Sequence, residues 1–410
     1  MHLTFHLLEA APCRHVGNHD VPAVTRGESP PTVKVRVERD VLAESMAWVA
    51  RSLPSRPSVP ILAGLLVEAE EGQLVLSGFD YETSTRVTVP AKVADTGRCI
   101  ISGRLAAEIS RSLPGLSVDL SADGAKAQVT CGSSRFALQT LPEDQYPALP
   151  DFPAASGTVR SDVLAQAVAQ VVIAAGHEDT LPVLTGVQME IEGSTITLLA
   201  TDRYRLAVRE LEWNPRSPDV SAAALVPARV LAEIAKAATT GTDIVVSLPG
   251  AGDGIVGFEG GRRRTTTRLL DGEFPKVRRI IPAEAAIATR ARIDTAGLVE
   301  AVKRVALVAE RNTPVRLRFC ESTLTLDAGT GDEAQASESL EARVAGEPVT
   351  VGFNPTYLLD GLNAICAPVA QLAFTQAAKA AELIGLQDFD GDPISEFRYV
   401  VVPVRLNNWG

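Results

Sequence analysis

The side chains best suited to acid–base chemistry are Asp80, Asp202 and His177. Two carboxylates and an imidazole are enough in principle for a hydrolase working by general acid and base. His177 is the only histidine after residue 19, so histidine-based proton transfer would rest on it alone. The two aspartates occupy matching places in an internal repeat, which suits a turn or cap carboxylate better than a catalytic dyad. No G-x-S-x-G, P-loop, H-E-x-x-H or His/Cys cluster accompanies them. His2/His6 and His15/His19 have the i, i+4 spacing that could hold a metal on a helix. They lie in residues 1–31, outside any repeat and ended by Gly27, Pro30 and Pro31. That stretch is expected to be a poorly ordered extension. It has neither the basic start nor the apolar core of a secretory signal. Gly250-Ala251-Gly252-Asp253-Gly254 looks like a phosphate loop, but no capped helix follows it, so a hairpin turn is expected. Neither catalysis nor a metal or cofactor is expected.

The elements that would position these residues are set by repetition. Asp162-Val163-Leu164-Ala165 matches Asp40-Val41-Leu42-Ala43, 122 residues earlier. At the same spacing Pro182, Leu184, Gly186, Leu198 and Asp202 match Pro60, Leu62, Gly64, Leu76 and Asp80. Arg229 to Ile234 repeats Arg104 to Ile109 at an offset of 125. A third, more diverged copy begins near Leu298-Val299-Glu300-Ala301-Val302. A period this long is the size of a small domain. Three units are expected, at 32–152, 157–283 and 287–410, each reading helix, strand pair, helix, strands. The fold class is α+β with antiparallel sheets. Helices are expected at about 40–52, 103–113, 162–175, 228–238, 295–308 and 355–364, with Asp40 as the N-cap of the first.

The chain has 410 residues, 46% of them apolar, and a net charge of −11. No run of 18 apolar residues exists, so no membrane span is expected. Five scattered cysteines without C-x-x-C spacing fit a reduced cytoplasmic setting. Within this acidic total, basic residues recur on the expected helices: Arg51, Arg104, Arg111, Arg229, Lys236, Lys303 and Arg304. Arg104 and Arg111 lie two turns apart on one face, and Arg229 with Lys236 repeats the spacing. Such a face suits either nucleic acid or ordinary solvation. Arg262-Arg263-Arg264 reads as a charged, solvated edge strand rather than a binding patch.

The triplicated unit, Ala200-Thr201-Asp202-Arg203-Tyr204-Arg205-Leu206-Ala207-Val208, Asp271-Gly272-Glu273-Phe274-Pro275 and Pro403-Val404-Arg405-Leu406 resemble the bacterial DNA polymerase III beta subunit, the sliding clamp. The resemblance covers about 33–406. It implies a head-to-tail homodimeric ring that encircles duplex DNA and tethers the polymerase without chemistry of its own. It implies a peptide groove between units two and three for the polymerase alpha subunit, the clamp loader and similar partners. Carried over by motif, the groove residues are Leu184, Thr201, Tyr204, Arg205, Leu206, Pro275, Arg279, Ile280, Tyr357, Val400, Val402, Pro403, Val404 and Arg405. Arg205 and Arg405 are expected to hydrogen-bond the partner's backbone. Val402 and Val404 stand where many members have Met, and Arg203-Tyr204 where smaller residues or His are often found, which implies a narrower choice of partner. DNA-facing positions carry over to Arg56, Arg104, His177 and Arg229. The dimer contact carries over to Phe136 and Leu138 against Ala306 and Leu307 of the other copy. A specialised second clamp, serving repair or resisting groove-binding inhibitors, is the alternative within the same class.

Overall fold

The computed structural model describes residues 33–178, 180–238, 242–250, 254–309, 313–329 and 334–405. The histidine pairs of 1–31, the centre of the glycine run at 251–253 and Leu406 lie outside the described residues.

Unit one runs β1 (Val33–Val37), α1 (Arg39–Ser52), β2 (Gly64–Glu70), β3 (Gln73–Phe79), β4 (Thr83–Pro90), β5 (Lys92–Asp95), β6 (Gly97–Ser102), α2 (Gly103–Ser112), β7 (Val118–Asp123), β8 (Lys126–Cys131) and β9 (Ser134–Leu141). Unit two repeats the order: β10 (Gly157–Arg160), α3 (Ser161–Val172), β11 (Gly186–Glu192), β12 (Thr195–Thr201), β13 (Arg205–Glu212), β14 (Asn214–Pro215), β15 (Ser221–Pro227), α4 (Ala228–Ala237), β16 (Asp243–Ser247), β17 (Ile255–Gly260) and β18 (Arg263–Arg268). Unit three does so again: β19 (Thr289–Asp294), α5 (Thr295–Val305), β20 (Val315–Cys320), β21 (Thr323–Ala328), β22 (Ala336–Glu341), β23 (Arg343–Gly346), β24 (Val349–Phe353), α6 (Pro355–Ala364), β25 (Val369–Phe374), β26 (Ala381–Leu386) and β27 (Phe397–Val401). All strand pairs are antiparallel, and the helices pack in pairs, α1 on α2, α3 on α4 and α5 on α6.

The amphipathic spacing explains these helices. In α2, Ala106, Ala107, Ile109 and Ser110 are buried while Arg104 and Arg111 face solvent. Asp40 is not the N-cap of α1. The helix starts at Arg39, so Asp40 sits in the first turn, where its charge meets the positive end of the helix dipole.

The units join through strands. β18 of unit two pairs with β4 of unit one, Thr265 opposite Thr85, Thr266 opposite Ser84 and Thr267 opposite Thr83. These six hydroxyl side chains are buried. Ser84 and Thr266 hydroxyls bond at 2.6 Å, and Ser52 and Thr85 hydroxyls at 2.8 Å. The arginine cluster is therefore no edge: β18 lies between β17 and β4. Arg263 bonds Glu44 at 2.5 Å and stacks over the Trp48 ring, tying unit two to α1. One unit further on, β27 of unit three pairs with β13 of unit two over Arg205–Arg209 and Phe397–Val401. This second joint is apolar, and one core cluster runs through both units from Val159 to Val401.

Candidate functional site

The second joint carries the residues that the sequence motif singles out. The chain must reverse between β12 and β13, and Asp202 makes the reversal. Its Oδ1 accepts the backbone N–H groups of Tyr204 and Arg205, each at 3.0 Å. Arg203 takes a left-handed conformation in this turn, with φ of 82°. The turn between β3 and β4 is built alike, with Asp80 accepting from Glu82 and Thr83 and Tyr81 at φ of 74°. Asp80 and Asp202 are thus turn carboxylates, as the repeat implies.

Arg205 is the best-held side chain of the turn. It is only 6% exposed. Its Nε donates to Asp202 Oδ2 at 2.9 Å and a terminal nitrogen to Asp360 Oδ2 at 2.5 Å. Its guanidinium lies 4.4 Å from the Tyr357 ring centroid. Burial by itself would lower the Arg205 pKa, but Tyr399, Asp360 and Asp202 outweigh it and the value is raised. Two of the Arg205 nitrogens are thus engaged inside the chain, while the expected bond from Arg205 to a partner's backbone would have to come from its remaining N–H groups. Tyr357 stacks on Tyr204 with centroids 6.2 Å apart and 23° between planes, and the Arg203 guanidinium lies 5.8 Å from the Tyr204 ring centroid. The four side chains form one contiguous pile, with contacts Arg203–Tyr204, Tyr204–Tyr357 and Tyr357–Arg205. Glycine at position 361 allows this close seat of α6, since a Cβ there would come within 2.4 Å of the Tyr399 ring.

Beneath the turn lies an apolar floor. Leu206 packs with Leu199, Val208, Val277 and Val400, and against Phe274 and Ile281 of the link to unit three. Leu206 has no exposed surface, so it does not line an open pocket. Val402 is half-buried and its N–H donates to Tyr204 O at 2.8 Å; Val404 N–H donates to Gly352 O at 2.8 Å. Thr201 is buried, its hydroxyl donating to Arg205 O at 2.6 Å. Leu184 is buried in the turn before β11, whereas Ile280 and Arg405 are exposed and Pro403 half-buried. Pro275 and Arg279 line an adjoining cavity of about 720 Å³ over Leu199, Leu225 and Val277. Sequence reading missed Asp360 and Tyr399. The available signal was helix register: Asp360 is the sixth residue of α6, as Glu233 is of α4 and Glu108 of α2.

The basic residues fall at two places. Arg51, Arg56, Arg229 and Lys236 line a cleft of about 700 Å³ between the end of α1 and α4, at the first joint. Arg104 and Arg111 are exposed on α2, with Arg104 donating to Leu53 O at 2.9 Å. His177 is exposed beyond α3. Lys303 and Arg304 are paired with Glu300 at 2.8 Å and Glu338 at 2.5 Å, as Lys236 is with Glu233 at 2.9 Å. At the expected dimer contact, Phe136 is exposed, Ala306 half-buried and Leu307 84% exposed. Leu138 is corrected: at 6% exposure it belongs to the core of unit one, where it stands opposite the buried Ala127, whereas Phe136 on the same face remains exposed.

Comparison with known proteins fits this arrangement. The chain matches the DNA polymerase III beta subunit N-terminal domain over 33–150, the central domain over 158–276 and the C-terminal domain over 278–405. It is 57% identical over 377 residues to the beta sliding clamp of Streptomyces coelicolor, covering 92% of this chain and all of that one. It is 42% identical to the beta sliding clamp homolog GriR of Streptomyces muensis over 92% of this chain and all of that one. Among solved structures, the Bacillus subtilis DNA polymerase sliding clamp superposes with a TM-score of 0.84 at 25% identity, over 92% of this chain and all of that one. The Pseudomonas aeruginosa sliding clamp bound to griselimycin gives 0.83 at 26% identity, over 91% of this chain and all of that one. With all three clamp domains present in order, this chain belongs to the DNA polymerase III beta subunit family, the bacterial DNA sliding clamps.

Proposed function

We propose that two copies close head to tail into a ring around duplex DNA and hold a polymerase there, without chemistry of their own. The observation that carries the reading is a pattern in the joints. The last strand of each later unit pairs with the fourth strand of the unit before it, β18 with β4 and β27 with β13. Two equivalents are left over. β22, the fourth strand of unit three, is an end strand, with β21 as its one neighbour among the described residues. β9, the last strand of unit one, pairs with β6 only through Thr140 and Leu141, so its first part has an open side. An unpaired strand edge is a template for another chain. Pairing β9 of one copy with β22 of the next repeats the same joint and closes the ring after two copies. It would also set Phe136 near the exposed Leu307.

In such a ring the helix pairs face inward with Arg51, Arg56, Arg104, Arg111, Arg229 and Lys236. Lys303 and Arg304 join them, and like Lys236 they are paired with acidic neighbours. The second joint, with its apolar floor and aromatic pile, takes partner tails from the polymerase alpha subunit and the clamp loader. The three domains are placed at 32–152, 157–283 and 287–410, and the compartment is the cytoplasm. No described helix is long and apolar enough to cross a membrane. The GriR relative favours one second reading, a specialised clamp beside a main one.

The test is topological. Loaded protein should stay on closed circular duplex at moderate salt and leave once the circle is cut. Direct contacts are expected to be few, each loss lowering the salt slope by roughly one unit. Equal retention on circular and linear DNA would overturn the ring.

A further inference from the structure

We propose that Asp360 is a positioning residue for the partner groove: by gripping Arg205 across the joint between units two and three it fixes the Tyr357 ring, and through it Tyr204, as the groove's end wall. The inference rests on the reading of this joint as a partner groove.

The geometry supports a relay. Asp360 is on α6 and Arg205 on β13, so their 2.5 Å contact crosses from one unit to the other. Asp202 fixes the opposite side of the same guanidinium from the turn. With both carboxylates in place, the guanidinium lies 4.4 Å from the ring centroid of Tyr357, one turn before Asp360 on α6. Tyr357 in turn backs Tyr204, which is 52% exposed and therefore offers its free ring surface to a visitor. Arg203 supplies an exposed cation at the outer end of the pile.

The other joint within the chain is built without a two-carboxylate clamp on an arginine of this strand. There Thr83 stands where Arg205 stands, directly before the rest of the fourth strand. Glu233 stands where Asp360 stands and Val230 where Tyr357 stands, in the same helix register. The arginines at that joint, Arg51, Arg56 and Arg229, line the cleft of about 700 Å³. Glu233 is held by Lys236 at 2.9 Å and Arg51 at 3.6 Å instead. That joint still pairs strand to strand over Thr265–Thr267. The clamp of two carboxylates and an arginine is thus an addition at the second joint, and what it holds is the aromatic wall.

The groove's apolar floor and aromatic end suit an extended segment with paired apolar side chains, one of them aromatic. The probe is a fluorescein-labelled Gln-Leu-Ser-Leu-Phe peptide, titrated by anisotropy against the full chain. Asp360→Asn should weaken it about tenfold, because the neutral amide accepts only a weaker hydrogen bond and leaves the buried arginine less compensated on that side. In a Tyr357→Leu background the same substitution should change affinity less than twofold, since its effect passes through the ring. Asp360→Glu should recover part of the loss. Arg205→Lys, which keeps the charge but not the flat face, should mimic Asp360→Asn. Unchanged binding in Asp360→Asn overturns the proposal, as does an undiminished effect in the Tyr357→Leu background. Failure of both Asp360→Asn and Arg205→Lys to fold also overturns it, because the clamp would then serve the joint itself. If the parent chain does not bind the peptide, the groove reading beneath it fails instead.

Discussion

Leu307 offers the cleanest handle on ring closure. It sits in the short 3₁₀ turn 306–308 that follows α5, and 84% of its surface meets solvent. A single chain gains almost nothing from an apolar side chain there. If the joint between copies covers it, about 100 Å² of apolar surface leaves water, worth roughly 2.5 kcal/mol at about 25 cal/mol per Å². A two-fold ring has two such sites, so the loss doubles to about 5 kcal/mol, or roughly three to four decades in dissociation constant. Leu307→Asp should therefore turn a dimer into a monomer at micromolar protein, in sedimentation velocity across a concentration series. Thermal unfolding of the monomer should be unchanged, because the side chain has no packing to lose. Leu138→Ala is expected to behave differently. It removes core volume from unit one and should cost about 2–5 kcal/mol of stability in either state. A Leu307→Asp protein that dissociates no more readily than the parent would refute the proposed contact.

Two further outcomes are expected from buried groups. Burial raises the Glu382 pKa, with Arg398 pulling the other way, so folding favours its protonated form. Its contribution is fully present below the ordinary carboxylate pKa and is lost as pH rises through the raised folded value. Glu382→Gln should flatten that fall in urea midpoints taken between roughly pH 4 and pH 7; an unaltered pH profile would count against it. Burial also pushes the Cys99 thiol up to about 12, whereas Cys320 and Cys366 are exposed. An aromatic disulfide reagent at neutral pH should modify Cys320 and Cys366 in the folded chain and reach Cys99 and Cys131 only on unfolding. Prompt modification of Cys99 in the folded protein would contradict its burial.

Much of this was legible in the sequence, for definite reasons. The repeat carries Asp80 and Asp202 into the same turn because the turn needs a carboxylate at that step, and a spacing of 122 residues preserves it. The helix limits at 103 and 228 follow from apolar spacing. What the sequence hides is pairing at long range. Thr265-Thr266-Thr267 reads as polar surface, and nothing local says that Thr83-Ser84-Thr85 lies opposite, 180 to 184 positions away. Arg205 looks like a free hand for a ligand until Asp360, 155 residues on, is seen to hold it. Leu138 looks like an edge residue because alternation gives the face but not which side of the sheet is covered.

The strand joints also bear on how long such a ring would stay closed. Of six joints in the proposed dimer, four are internal to a chain and two join separate chains. A joint within a chain that opens finds its partner again at the high effective concentration set by its own tether. The two between copies have that advantage only while the other one holds. Opening one leaves the second as a hinge, so the free ends stay within reach and re-pair faster than the copies part. Escape from DNA then requires the duplex to pass a gap that shuts quickly, whereas full dissociation requires two openings at once. Residence time on a circle would therefore exceed the lifetime of any single joint, and a loader needs to pry at one place only.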